Sequence, residues 1–265
     1  MFKESLLEKQ VRERYVKRFG KWYPDVIYRT KLVCQMIKND KDFKYILDGA
    51  GFFPSAFIFS QLYKNAQITI YNLYEDDVLD DFKNSIKYQY GDVTDIKFPD
   101  KYFDMVYLGE TIEHVYDITK CFKEVKRVLK PDGYLAITTP NLAAWHNRLL
   151  LLFGKCPINY HPSPITYSKS DENNLKATHG KHLRDVPLHH YHIRLFTIDR
   201  LFDYLELMGF KIIKHDIINF TTPDRRFLFI RRLLNYILPM NFKEGIVVIV
   251  KIMDSITNSK ERLNL

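Results

Sequence analysis

Two turns that combine an acidic residue with glycine follow apolar stretches of this sequence. Residues 44–51 read KYILDGAG, so an apolar stretch ends at Asp48 and at the closely spaced Gly49 and Gly51. Asp92 follows a glycine in a second turn, directly after the stretch IKYQY. Because glycine has no Cβ, its backbone can pass close to a ligand, and open α/β sheets bind ligands at the carboxyl ends of their strands. The two turns therefore predict a cofactor site.

The histidines supply candidate proton acceptors. His114 follows Glu113 just beyond a predicted strand, and imidazole titrates near neutral pH, which suits a general base. His146 and His192 are further candidates for an acceptor pocket. Five of the nine histidines fall within 179–192, a density that a metal site would explain. The run lacks HExxH spacing and obvious carboxylate or thiolate partners, so we expect no metal site and assign these histidines to a surface.

The elements that position these residues follow from periodicity. Short apolar stretches alternate with segments of helical spacing, which is typical of βαβ units and of a mainly parallel sheet with helices on both faces. The predicted strands are 44–48, 67–73, 86–90, 103–108, 133–139, 210–217 and 245–251, and the predicted helices are 4–18, 25–37, 56–63, 117–129, 142–153, 198–208 and 223–239. The alternation breaks within 142–195, and the length of that segment predicts a functional insertion.

Composition and charge restrict the function classes. The 265 residues allow one α/β domain with a large core, and a net charge of +8 favours acidic partners. No basic, aromatic-lined groove is evident, so we expect no strong nucleic-acid binding. Cys34, Cys121 and Cys156 are odd in number and lack CxxC spacing, which favours reduced thiols in the cytoplasm. No apolar stretch approaches the ~20 residues that span a bilayer, and the N-terminus lacks the pattern of a secretory signal.

The stretch RRFLFIRRLLNYILP at 225–239 combines bulky apolar residues with four arginines. Such a helix can lie in a membrane interface, which would place the protein at the inner membrane face. An ordinary helix that packs on the sheet, with its arginines in solvent, explains the same pattern and is favoured. Weak membrane-surface contact through 225–239 is kept as the alternative.

Three longer pieces of the sequence resemble one family. They read ILDGAGFF, YGDVTDIKFPDKYFDMVYLGETIEHV and FKEVKRVLKPDGYLAITTPN, and together they resemble the class I S-adenosylmethionine-dependent methyltransferases, in particular the type-11-like branch. The middle piece is the most specific, because the family typically has Gly-Asp, a short apolar segment with proline, Phe-Asp and Glu-His in this order. The resemblance covers 44–141 well and 192–251 more loosely. It implies a Rossmann-like, doubly wound, seven-stranded sheet, mostly parallel with the last strand antiparallel.

The resemblance also implies the organisation of the chain. We expect one methyltransferase-like domain over 1–265. Its parts are N-terminal helices (1–42), a cofactor-binding core (43–141), an acceptor-cap insertion (142–195), a C-terminal helix and strand hairpin with the basic helix inserted (196–252), and a tail (253–265).

Residue roles in cofactor binding come from the same resemblance. Asp48, Gly49 and Gly51 would form the turn under the methionine and ribose of S-adenosylmethionine. Asp92 would accept a hydrogen bond from the adenine amino group, and the backbone amide of Val93 would contact a ring nitrogen.

The resemblance gives roles to two further positions, and the second of them departs from the family pattern. Glu110 would line the gap between cofactor and acceptor. Asn72 stands where the family usually has an acid that binds the ribose hydroxyls, with Glu75 close enough to substitute. The family also usually has a residue between the aspartate and the first glycine, whereas Asp48 directly precedes Gly49, and the aromatic pair at 52–53 occupies the position of the third glycine.

The sequence therefore predicts methyl transfer from S-adenosylmethionine, with S-adenosylhomocysteine as product. The expected acceptor is a hydroxyl of a small molecule, a sugar, or a polysaccharide or lipid-linked precursor. The alternative is a catalytically weak or inactive partner protein with the same fold, supported by the altered first turn. A nicotinamide-dependent oxidoreductase fits worse, because GxGxxG is absent. The oligomeric state is left open.

Overall fold

Seven strands form one sheet in the computed structural model of this chain, which describes residues 5–19, 24–37, 42–73, 82–157, 160, 192–218 and 242–253. The strands are β1 (Tyr45–Gly49), β2 (Gln67–Asn72), β3 (Ile86–Tyr90), β4 (Phe103–Gly109), β5 (Leu129–Pro140), β6 (Phe210–Ile218) and β7 (Gly245–Ile252). The helices are α1 (Leu6–Phe19), α2 (Pro24–Ile37), α3 (Phe53–Leu62), α4 (Ile118–Val128), α5 (Trp145–Leu152) and α6 (Ile198–Leu207).

The strands follow the order β3-β2-β1-β4-β5-β7-β6 across the sheet. Neighbouring strands from β3 to β5 run parallel, and β7 lies antiparallel between β5 and β6. The predicted Rossmann-like sheet with an antiparallel last strand is confirmed. The strand order reverses between β1 and β4, and in such sheets the crevice for ligands opens at the carboxyl ends of those two strands.

Helices cover both faces of the sheet, as the alternation predicts. Neighbouring residues of β1 point to opposite sides, so Ile46 joins the core beneath α1, α2 and α3, and Leu47 joins the core beneath α4 and α6. The first core is rich in aromatic residues, among them the fully buried Phe53 and Phe57 of α3. On the other face, Phe122 of α4 packs beside Phe210, with ring centroids 6.0 Å apart. The two cores hold the sheet rigid beneath its carboxyl edge.

Helix α3 begins earlier than the predicted 56–63. Pro54 lies in its first turn, a position that proline favours because its missing amide has no intrahelical partner there. The turn after β1 therefore leads into the helix within a few residues, with Phe52 as the N-cap. This short connection fixes the position of the turn relative to the sheet.

Several predictions lie outside the described residues. These are most of the cap within 142–195, the basic helix at 225–239, the tail beyond 253, and Glu75. The division into a single domain with these parts stays a prediction. Within the described ranges, no helix has both the length and the apolar character needed to cross a membrane.

Candidate cofactor and acceptor site

The predicted site residues lie at one edge of the sheet. Asp48 and Gly49 end β1, Asn72 ends β2, Asp92 follows β3 and Glu110 follows β4. These strands are parallel neighbours, so their carboxyl ends meet at the same edge. The fold therefore brings together residues that are distant in the sequence, as the hydrogen bond from the Thr111 hydroxyl to the Gly49 carbonyl, 62 positions earlier, shows.

The turn after β1 is built around a buried carboxylate. Asp48 is 0% exposed, and the Ser55 hydroxyl donates to its Oδ2 at 2.5 Å. A Cβ added at Gly51 would lie 2.0 Å from Cγ of Asp48, and one added at Gly49 would lie 2.8 Å from Cδ2 of Leu108. A larger residue at either position would therefore force a neighbouring side chain to move.

Ala50 adopts the left-handed conformation in this turn, with a φ of 59°. Its amide donates to the Tyr71 carbonyl at 2.7 Å, which ties the turn to β2. In the family pattern the first glycine stands two residues after the aspartate. Ala50 stands two residues after Asp48. Alanine therefore occupies, in a conformation that favours glycine, the position where the family usually has its first glycine.

Asn72 also holds the turn. Its side-chain amide donates to the Gly51 carbonyl at 3.1 Å, and the residue is buried. Asn72 therefore stabilises the turn, next to the predicted position of the ribose. Its predicted contact with the ribose hydroxyls stays a prediction.

The loop after β3 carries the predicted adenine contacts. Oδ1 of Asp92 accepts a hydrogen bond from the Thr94 amide at 2.8 Å, which fixes a tight turn. Val93 is buried, and its side chain lies where a Cβ on Gly49 would approach it to 3.3 Å. The two loops therefore pack on each other, and the roles of Asp92 and Val93 stay predictions.

Glu110 pairs with an arginine from the N-terminal part of the chain. Its Oε1 lies 3.8 Å from Nε of Arg29 on α2, and both side chains are largely buried. Burial raises the pKa of Glu110, and the neighbouring guanidinium only partly opposes that rise. Burial lowers the pKa of Arg29, but Glu110, Tyr107, Asp25 and Glu113 together outweigh it, so that pKa rises overall. Glu110 also has a φ of 53°, a conformation that is uncommon for a residue with a Cβ.

Glu113, like Asp48, is a fully buried acid of the site, at 0% exposure. The Thr139 hydroxyl donates to its Oε2 at 3.1 Å. Its Oε1 lies 4.0 Å from Nε2 of His114 and has no hydrogen-bond partner within the described part of the chain. Burial, and next the nearby Glu110, raise the pKa of Glu113 well above its ordinary value.

Two of the three candidate histidines meet beside this carboxylate. The rings of His114 and His192 have centroids 4.6 Å apart and stand nearly perpendicular. The Ile193 amide donates to the Glu113 carbonyl at 3.0 Å, which fixes the segment that carries His192. His146 lies on α5, where its ring contacts Trp145 at 5.6 Å. Catalytic roles for all three stay predictions.

Sequence reasoning does not point to two further residues of the site. Arg29 stands four residues after Asp25, a spacing that is typical of an exposed ion pair on a helix. Thr139 is an ordinary residue of a predicted strand, and only the fold shows that it contacts Glu113. Neither position carries a sequence signal that sets it apart.

Parts of this chain are similar in sequence to known proteins. A family model described as a methyltransferase domain matches residues 55–137. A probable S-adenosylmethionine-dependent methyltransferase of Mycolicibacterium smegmatis is 26% identical over 124 residues, which make up 47% of this chain and 35% of that protein. A sterol 24-C-methyltransferase of Aspergillus fumigatus is 45% identical over 47 residues, 18% of this chain and 12% of that protein. The chain thus spans about a third or less of the length of these curated relatives.

The fold is similar to that of a solved methyltransferase over nearly its whole length. The 1,6-didemethyltoxoflavin-N1-methyltransferase of Burkholderia thailandensis, solved with 1,6-didemethyltoxoflavin and S-adenosylhomocysteine, covers 96% of this chain and 92% of its own, with a TM-score of 0.55 and 11% identity. Residues 55–137 are therefore similar to a methyltransferase domain, and the chain has the fold of class I S-adenosylmethionine-dependent methyltransferases. The relative from Mycolicibacterium smegmatis is named for its dependence on S-adenosylmethionine.

The residues that match the methyltransferase domain model include Asn72, Asp92 and Glu110, and the match begins after the turn at Asp48. That turn is where the sequence departs from the family pattern. Within it, Ala50 stands two residues after Asp48 in the left-handed conformation.

Proposed function

We propose that this protein transfers a methyl group from S-adenosylmethionine to a hydroxyl oxygen of its acceptor. The observation that carries the proposal is that the predicted cofactor turn and the pair of His114 and His192 lie at the carboxyl edge of the same strands. Methyl transfer from a sulfonium needs close approach, orientation and a dry site more than it needs covalent help from the protein. The buried edge beside β1 and β4 supplies those conditions.

The charges of the site support a cationic cofactor. Glu113 is buried and Glu110 is largely buried, and Arg29 is the cation that pairs with Glu110 among the residues that the structure describes. A buried carboxylate is costly unless a cation or hydrogen-bond donors compensate it. The sulfonium and amino groups of S-adenosylmethionine carry positive charge, which suits this environment.

The histidine pair supports oxygen as the methylated atom. Similar proteins are named for transfer to carbon or to a ring nitrogen, so the fold alone leaves the acceptor atom open. A hydroxyl is a weak nucleophile at neutral pH and gains most from a base whose pKa lies near 7. His114 and His192 provide two neighbouring imidazoles that could serve as such a base.

A sugar, or a polysaccharide or lipid-linked precursor, is the acceptor class that we favour. The net charge of +8 suits an acceptor that carries phosphate. The end of α5 exposes apolar side chains, with Leu152 at 75% and Phe153 at 73%, which suits an acceptor with an apolar portion. A cytoplasmic location, with contact at the inner membrane face, fits the same class.

The test begins with cofactor binding. Calorimetric titration with S-adenosylmethionine and with S-adenosylhomocysteine should give saturable binding, and Asp92→Ala should weaken it strongly. Nucleotide sugars and lipid-linked glycans are then supplied with methyl-labelled cofactor, and mass spectrometry locates the label. Label on carbon or nitrogen would refute the choice of oxygen. Absence of cofactor binding would favour the inactive partner protein.

A further inference from the structure

Glu113, His114 and His192 form a group of metal-ligating side chains, which we call the Glu113 cluster. One carboxylate oxygen and one nitrogen of each imidazole lie within 4.8 Å of one another. In a tetrahedral site with bonds of ~2.1 Å, ligand atoms lie about 3.4 Å apart, so these atoms need to approach by at most about 1.4 Å. Small side-chain rotations supply such a change.

Hydrogen bonds to atoms other than the three ligand atoms hold the Glu113 cluster in place. The Glu113 carbonyl accepts from the amides of Ile193 and Arg194, at 3.0 and 3.4 Å, and thereby fixes the chain next to His192. The Thr139 hydroxyl donates to Oε2 of Glu113 and so orients the carboxylate. Partners of this kind orient the ligands in metal sites and tune their affinity.

The remaining carboxylate oxygen of Glu113 indicates what the cluster binds. The side chain is 0% exposed, and its Oε1 has no hydrogen-bond partner among the described residues. The nearest cationic candidate is Nε2 of His114, at 4.0 Å. Leaving a buried carboxylate oxygen without a partner is costly, and coordination to a cation removes that cost.

We propose that the Glu113 cluster binds a divalent transition-metal ion, with Zn²⁺ as the first candidate. Two imidazoles and one carboxylate suit zinc, cobalt and iron(II), whereas magnesium and calcium prefer oxygen ligands alone. Three protein ligands leave a coordination position for water or for an acceptor oxygen. Ion binding does not depend on the proposed methyl transfer. A role of the ion in catalysis rests on the proposed methyl transfer. In that reaction the ion, in place of His114, would activate the acceptor hydroxyl.

The experiment measures binding of the metal alone to the full chain. The protein is freed of metal by chelation and dialysis and is titrated with Co²⁺, followed by visible absorption, and then with Zn²⁺. One Co²⁺ should bind per chain, Zn²⁺ should displace it, and Mg²⁺ should not. Glu113→Gln and His192→Ala should each weaken Co²⁺ binding at least about tenfold, and Thr139→Val by roughly 10- to 100-fold. His215→Ala, an exposed histidine of β6, is the matched control and should leave binding unchanged.

Two results would overturn the metal site. One is the absence of Co²⁺ and Zn²⁺ binding to the folded protein. The other is binding that persists in both Glu113→Gln and His192→Ala, since the ion would then be held elsewhere, for instance by the histidines at 179–190. Titration with S-adenosylmethionine, with and without Zn²⁺, keeps the proposed function separate, because cofactor binding without metal binding refutes the site alone.

Discussion

Replacing Gly51 with alanine tests the construction of the first turn. The new Cβ would lie 2.0 Å from Cγ and Oδ1 of Asp48, so the carboxylate must move. Because Asp48 is 0% exposed, it has no solvent to turn toward, and it would lose its hydrogen bond from Ser55. A hydrogen bond to a charged group contributes roughly 1.5–3 kcal/mol to the free energy of unfolding. That loss corresponds to a fall in Tm of about 3–12 °C for a chain of this size.

The assays are thermal unfolding and calorimetric titration with S-adenosylmethionine. Gly51→Ala should lower Tm by that amount and weaken cofactor binding at least about tenfold, because the turn lies under the methionine and ribose in the proposed complex. Ser55→Ala removes the same hydrogen bond without the added Cβ. The stability losses of the two variants should therefore not add in the double variant.

Gly154→Ala is the matched control. Gly154 has a φ of 66° and no other atom within 4 Å of an added Cβ, so alanine there meets backbone strain alone. That strain is about 1–2 kcal/mol, and cofactor affinity should stay unchanged. If Gly51→Ala matched Gly154→Ala in both stability and affinity, Asp48 would not occupy the position described, and the reasoning would be refuted.

Other variants test the strands that position the site. Ala50→Gly should raise the free energy of unfolding by about 1 kcal/mol in urea denaturation, because glycine adopts the φ of 59° without strain; an unchanged midpoint would contradict this. Burial raises the pKa of Asp104, but hydrogen bonds from Lys130 and from two backbone amides outweigh it and lower that pKa overall. A lowered native pKa means that the native state binds fewer protons, so this stabilisation is present above the ordinary value of 3.8 and is lost as pH falls further. Asp104→Asn should therefore cost about 1–2 kcal/mol at pH 7 and progressively less on acidification, measured as Tm against pH, whereas a constant difference would contradict the sign. Tyr71→Phe removes the hydroxyl that accepts from the Lys97 amide at 3.0 Å and should cost about 1 kcal/mol by the same denaturation assay. A gain in stability would contradict that last expectation.

The sheet could be predicted from the sequence because its strands are short apolar stretches separated by amphipathic helices. The site could be predicted only in part. Gly51 is predicted from the close approach of a ligand, whereas the atom that excludes a Cβ is the Asp48 carboxylate, a contact that no periodicity reveals. The burial of Glu113 could not be predicted either, because glutamate is almost never fully buried and nothing in its neighbours marks the exception. Long-range contacts decided both features.

The geometry of the first turn bears directly on the choice between an active enzyme and an inactive partner. The support for an inactive partner is that Asp48 directly precedes Gly49 and that aromatic residues occupy the position of the third glycine. The left-handed residue is Ala50, however, which stands at the position where the family usually has its first glycine. Alanine in that conformation costs about 1–2 kcal/mol of stability but leaves the path of the backbone unchanged. The hydrogen bond from Asn72 to the Gly51 carbonyl further fixes that path. The aromatic pair at 52–53 and the neutral amide at the ribose position still differ from the family, and the amide is a loss of roughly 1 kcal/mol or about fivefold in affinity. A loss of affinity of that size is compatible with turnover. Because the loss is small, the proposed enzyme is favoured over the inactive partner.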